Sequence, residues 1–355
     1  MDEHRQLPLP GIDLPRRPLR ILTKSFLLLL VVGAATYVLL PQLATIHHST
    51  AVVRSLAWWA ILLAVLAQCC CYLAHSYALG AILALFDQRL SLTRRIALTV
   101  APYSLSLVWG GQVTSTTVAF RWLRQAGVPA EAALVTGVLP ALINLLSFFG
   151  IATFGLAYLL ARRQVTQTLI IALLLPAVLV VAMATLAWWI AGHRDLVVTA
   201  AHRSSSFWSR LRRRQYNPAT TEAVLASLFD AWRLLLAGGG LKALAGDAMS
   251  VVFDVLTLYC VFWAAGYSIN PGLLLAGYGL PNLAGKLSIL PGGVGVVEGG
   301  MAALYAALGV TGSVVVVVIL GYRLLSFWFP VASGFILAAW LERTLPPEAP
   351  KLELS

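Results

Sequence analysis

Apolar residues in this chain come in long, nearly unbroken runs, and the runs set its plan. A helix needs about 20 apolar residues to cross a bilayer. Runs that meet or approach this length predict full spans over residues 25–40, 56–79, 130–160, 169–190, 241–265 and 313–341, the first ending at Pro41. Two further apolar stretches are irregular. Residues 96–120 carry Pro102, Gly110, Gly111 and the polar run Gln112-Val-Thr-Ser-Thr-Thr117. Residues 271–309 carry Ile289-Leu-Pro-Gly-Gly-Val-Gly-Val-Val-Glu298-Gly-Gly300, a carboxylate among glycines. Non-helical backbone at membrane depth is stable only where it is buried in protein or lines a wet cavity. A last stretch, 222–236, is amphipathic and is expected to lie at the membrane surface.

Composition agrees with this plan. The 355 residues are 59% hydrophobic and 11% charged, against about 25% charged in a soluble domain. No polar stretch between the runs is long enough for a soluble catalytic domain, which leaves little support for an enzyme. The net charge of +11 is no sign of nucleic-acid binding, because the basic residues cluster at the ends of spans. Arg16, Arg17, Arg20 and Lys24 precede the first run; Arg89, Arg94 and Arg95 follow the second; Arg194, Arg203, Arg210 and Arg212 to Arg214 fill the loop at 193–221. The positive-inside rule makes all three clusters cytoplasmic, and they can also attract anionic lipid.

These clusters fix a topology. If spans two and four both end inside, span three begins inside, and residues 96–120 leave and return on one face. Residues 271–309 do the same on the outer face. The expected fold is therefore all-α and polytopic, with six full spans and two oppositely entering re-entrant hairpins. Gly110 and Gly111 break one hairpin; Pro291, Gly292, Gly293 and Gly295 break the other. Gly127-Val128 follows Gly111 by sixteen residues, and Gly309-Val310 follows Gly293 by sixteen. That spacing suggests an inverted repeat, the arrangement in which transporters bind substrate between broken helices. Residues 1–24 form a cytoplasmic basic segment, 25–341 one membrane domain and 342–355 a cytoplasmic tail.

The candidate chemistry is a small set of intramembrane charges, which are expensive in lipid and therefore functional candidates. Glu298 suits a cationic head group, a proton or an internal arginine. Arg323, midway along the last span, suits a lipid phosphate or Glu298. Lys286 suits a phosphate cluster or interfacial snorkelling. Asp247 and Asp254, seven apart on one helical face, suit ion pairs with Lys286 or Arg323, or proton carriage. Arg121, after the threonine-rich run, suits phosphate or simple anchoring. His75 reads more as a core histidine than as a ligand. Cys69, Cys70, Cys71 and Cys260 lie in apolar runs without metal-site spacing. No metal or cofactor is expected.

The stretch Pro291-Gly-Gly-Val-Gly-Val-Val-Glu298 and, in the last span, Gly321-Tyr322-Arg323-Leu-Leu-Ser-Phe-Trp-Phe-Pro330 closely resemble the lysylphosphatidylglycerol synthase transmembrane region, a flippase-like integral membrane family. Trp109-Gly-Gly, Arg121 and Arg124-Gln-Ala-Gly-Val-Pro129 resemble its first-half signature. The resemblance implies movement or holding of charged or glycosylated lipids: anionic, aminoacylated or polyprenyl-linked. It adds Tyr322 to the candidate substrate contacts. It also implies the plasma or inner membrane of a prokaryotic cell, with both termini cytoplasmic. Partners would be membrane lipids, or alternatively a glycosyltransferase or other envelope enzyme to which a non-transporting subunit presents lipid. Two departures stand out. Pro140-Ala-Leu-Ile-Asn144 lacks the charged cluster that many members carry there, and no aminoacyl-transferase domain follows, so lysyl-lipid synthesis is not expected. Oligomeric state is left open.

Overall fold

The computed structural model describes residues 53, 55–109, 112–161, 185, 240–288 and 291–346. The expected spans at 25–40 and 169–190, the basic loop, the surface stretch at 222–236, the first 24 residues and most of the tail lie outside these. So do Gly110 and Gly111.

Among the described residues every regular element is helical: α1 Trp58–Ala84, α2 Leu92–Trp109, α3 Gln112–Gln125, α4 Ala130–Ala161, α5 Leu241–Ala264, α6 Pro271–Leu287, a 3-10 turn Pro291–Gly293, α7 Val296–Ala307, α8 Gly312–Arg323, a π turn Leu324–Trp328 and α9 Phe329–Thr344. Four stretches are long and apolar enough to cross a membrane: Trp58–Ala84, Ile143–Ala161 within α4, Leu241–Ala264 and Gly312–Thr344. Pro102, Pro140 and Pro281 sit inside helices without ending them. Lipid offers backbone groups no other partner, so the helix survives a proline that would break it in water. The exposed sides of α1 and α5 carry Trp58, Leu62, Leu66, Met249, Val252 and Leu256, the apolar surface that hydrocarbon tolerates.

The two irregular stretches each become a pair of packed helices, α2 with α3 and α6 with α7. The second break is resolved: Gly292, Gly293 and Gly295 have φ of 63°, 63° and 85°, a region closed to most other residues. The helices that follow the breaks end alike. After α3, Gly127 N–H donates to Arg124 O and Val128 N–H to Leu123 O; after α7, Gly309 donates to Ala306 O and Val310 to Tyr305 O. Both are Schellman closures, with φ of 87° at Gly127 and 84° at Gly309. The long helices before the hairpins close the same way, α5 on Gly266 and α1 on Asp87, whose φ is 54°.

Packing crosses between the halves. Helices α1 and α5 run antiparallel, tied by Ala57 N–H to Ala264 O at 3.0 Å. Helix α4 packs on α6, and α9 packs on α2. Small residues bring these helices close, as van der Waals packing between membrane helices requires. A Cβ on Gly279 would lie 2.6 Å from Ala152 N, and one on Gly334 would lie 2.1 Å from Ser104 Oγ. Gly279→Leu is therefore expected to cost about 1–3 kcal/mol by overpacking. Gly150→Leu, with nothing within 4 Å of its Cβ, should leave thermal unfolding in detergent unchanged.

Two cores result. One joins α5 to α8 with Phe148 and Ala152 of α4. The other joins the end of α1 with α2, α3, the start of α4 and the end of α9. The polar site lies where the helices of both cores meet.

Candidate functional site

Five elements line a cavity of about 140 Å³: α1, α2, α4, α5 and α6, with the π turn and the start of α9 closing it. This is room for several waters. Its polar face is built from helical stripes. Gln68, Tyr72 and His75 repeat at i, i+4 and i+7 on α1; Ser250 and Asp254 stand on α5; Tyr278 and Lys286 stand two turns apart on α6. Tyr103, Asn144 and Ser326 complete it.

Asp254 is the cavity's best-held carboxylate. The buried hydroxyls of Tyr278 and Tyr322 both donate to its Oδ2, at 2.7 and 2.8 Å. Tyr278 stacks on Phe148 with ring centroids 5.3 Å apart. Over the same Phe148 ring, 4.7 Å from its centroid, sits the Lys286 amine. Lys286 thus lines the cavity with its side chain exposed to it, two rings from Asp254. On the opposite wall, His75 Nδ1 lies 3.5 Å from Asp247 Oδ1.

The break between α6 and α7 is clamped next to the cavity. Glu298 stands in the first turn of α7, where a negative charge suits the helix dipole. Its Oε2 accepts from Gly295 N–H at 2.7 Å, and its Oε1 accepts from Arg323 Nε at 2.6 Å. Arg323 Nη2 also donates to Gly292 O at 3.2 Å. The guanidinium lies over the cavity-lining Phe327, 4.3 Å from the ring centroid. One charge pair therefore ties the last long helix to the glycine turn.

The structure so distributes the expected residues. Lys286 and Asp254 line the cavity, and Tyr322 reaches it through Asp254. Glu298 and Arg323 pair with each other beside it. Asp247 lies behind His75 and is 1% exposed. Arg121 stands on α3, away from the cavity lining. Pro291, Gly292, Gly293 and Gly295 form the second break, while Gly110 and Gly111 lie outside the described residues. Sequence reasoning missed Gln68, Tyr72, Tyr103 and Tyr278. The i, i+4, i+7 polar stripe of α1 was the available signal for the first two. Asn144, noted only for the charge it lacks, also faces the cavity. Among the described residues no cluster of three or more metal-ligating side chains occurs.

Comparison with known proteins agrees with this architecture. The chain is 37% identical over 91 residues to a UPF0104 membrane protein of Methanothermobacter thermautotrophicus, covering 26% of this chain and 27% of that protein. It is 30% identical over 99 residues to the UPF0104 membrane protein MJ1595 of Methanocaldococcus jannaschii, covering 28% and 30%. A third relative, PH1989 of Pyrococcus horikoshii, is 34% identical over 84 residues, covering 24% and 25%. The chain thus matches between a quarter and a third of the length of these archaeal relatives. Residues 20–334 match the profile of the lysylphosphatidylglycerol synthase TM region. With nearly its whole length matched, the chain is an integral, multi-pass membrane protein of the lysylphosphatidylglycerol synthase TM region family.

Proposed function

We propose that this protein moves charged or glycosylated lipids between leaflets, holding the head group in the cavity between Lys286 and Asp254 while the acyl chains stay in the bilayer. The observation that carries this reading is the cavity itself: an amine and a tyrosine-clad carboxylate within apolar helices, beside a clamped helix break. Neither charge is needed for folding as an idle group, since each is costly at membrane depth.

The two-unit plan supports the reading. Gly111 and Gly293 are 182 residues apart, and so are Gly127 and Gly309. Shifted by about that interval, α1 falls on α5, α2 and α3 on α6 and α7, and α4 on the run from Gly312 to Thr344. The antiparallel α1 and α5, and the exchange of α4 and α9 between hairpins, are what two units of opposite orientation would produce. On this reading α2–α3 and α6–α7 are the two re-entrant hairpins, six full spans complete the domain, and both termini are cytoplasmic. Alternating access would then be rocking of one unit against the other around the cavity.

The test is reconstitution into vesicles with fluorescent phosphatidylglycerol, an aminoacylated analogue and a polyprenyl-phosphate glycan analogue. Protein-dependent movement of at least one, by quenching from outside, is expected. Movement of none above protein-free vesicles would count against translocation. Mass spectrometry of lipid retained by the gently purified protein names the class: one enriched lipid is expected, and only bulk lipid would argue against a specific cavity.

A further inference from the structure

Asp247 is 1% exposed, and neither of its carboxylate oxygens has a hydrogen-bond partner. Ser250 Oγ, one turn on, bonds to the backbone oxygen of Asp247 rather than to its carboxylate. The charged side chain that reaches it is His75, at 3.5 Å, the long end of hydrogen-bond range. A buried carboxylate left so weakly held is costly. A proton on the imidazole converts the contact to a charge-assisted one and removes most of that cost. His75 has 20% of its side chain exposed and lines the cavity, so protons reach it from the space a head group would fill. Histidine is the side chain whose charge changes near neutral pH.

From these observations we infer that the His75–Asp247 pair is a proton-binding site coupled to the head-group cavity: one proton taken up by His75 tightens the cavity's hold on an anionic, phosphate-bearing head group. This rests on the translocator reading above. The step is simple in its balance. An N–H bond forms on the imidazole with a proton from cavity water, and the reverse step returns it there. The pair passes from a net charge of −1 to 0. The other titratable groups facing this cavity are Cys71 and Tyr72 from α1, Tyr103 from α2, Asp254 from α5, and Tyr278 and Lys286 from α6. Lys286 supplies the cation for a phosphate. Adding one positive unit across the cavity strengthens that attraction, because charges in a low-dielectric space are poorly screened. By linkage, the bound anion must favour proton uptake to the same extent. A lipid would then carry a proton with it, and a pH gradient would set the direction of movement.

Calorimetry of the full chain in phosphatidylcholine nanodiscs tests this. Dihexanoyl phosphatidylglycerol is titrated at pH 6.5 in two buffers of different ionisation enthalpy, and the difference in heat counts protons. Uptake of about half a proton per lipid bound is expected for an ordinary histidine at that pH. Affinity should rise several-fold between pH 8 and pH 6. His75→Gln should bind at pH 8 as the wild type does, with no proton uptake and no gain at pH 6. Asp247→Asn, which removes the other half of the pair, should lose the uptake as well. Dimethyl phosphate, the same phosphodiester without glycerol or chains, separates a lipid site from a free-anion site; uptake with either ligand supports the coupling. Wild-type binding without uptake, or uptake unchanged in both variants, overturns the coupling and leaves the cavity standing. No binding of either ligand at any pH overturns both.

Discussion

Replacing Glu298 with Gln should destabilise the protein by about 3–5 kcal/mol, the usual cost of leaving one half of a buried ion pair without its partner. Arg323 has 6% of its side chain exposed and Glu298 13%, so neither can turn to solvent. The loss would also free the Gly295 N–H and loosen the hold on Gly292 O. Arg323→Met should cost a similar amount for the mirror-image reason. The double variant Glu298→Gln/Arg323→Met should recover much of either loss, because no uncompensated charge is left. Thermal unfolding in detergent gives the three values. Single variants as stable as the wild type would show that the pair does not clamp the break.

Lys286→Gln should act in the opposite sense, sparing the fold and abolishing the activity. The contact of the amine is the face of Phe148, and an exposed cation–π contact contributes about 0.5–1 kcal/mol. Stability should therefore change little. A charged hydrogen bond to a head-group phosphate contributes about 1.5–3 kcal/mol, which corresponds to roughly 10- to 100-fold in binding. Movement of phosphatidylglycerol in vesicles should fall by about that factor, with Lys286→Arg recovering part of it. Full movement in Lys286→Gln would place the head group elsewhere.

The contrast between the two variants reflects what could be read from the chain. The long apolar runs gave the bounds of α1, α4, α5 and the last helix to within a few residues, since hydrophobicity is a local property. The second break was also legible, because Pro291-Gly-Gly-Val-Gly cannot continue a helix. Charges could be placed on helices but not matched across them. Asp247 and Asp254 share a face of α5, yet one meets His75 and the other meets Tyr278 and Tyr322. A seven-residue stripe subtends enough of the helix to touch two neighbours, and periodicity does not say which. Nor did it show that Glu298 and Arg323 would use each other, since that depends on how α7 and α8 fold back across a short turn. The tyrosines were hidden for another reason. In an apolar span an aromatic ring reads as packing, and only its partner reveals the hydroxyl as polar.

The π turn at Leu324–Trp328 bears on how alike the halves of the cavity are. Helix α4 has 32 residues, while the run from Gly312 to Thr344 has 33. A π turn accommodates one additional residue without ending the helix. Each residue of an α-helix advances about 100°, so on the two-unit reading everything beyond the turn is rotated by that angle against its counterpart in α4. Tyr322 and Arg323, before the insertion, keep the facing that meets Asp254 and Glu298. Phe327 and Pro330, in and after it, are swung onto the cavity wall. Tyr72 stabilises the change by donating to Leu325 O at 3.2 Å. A single inserted residue thus gives a duplicated frame two unlike walls, one of charge and hydroxyl and one of aromatic surface, as a head group joined to a chain would require.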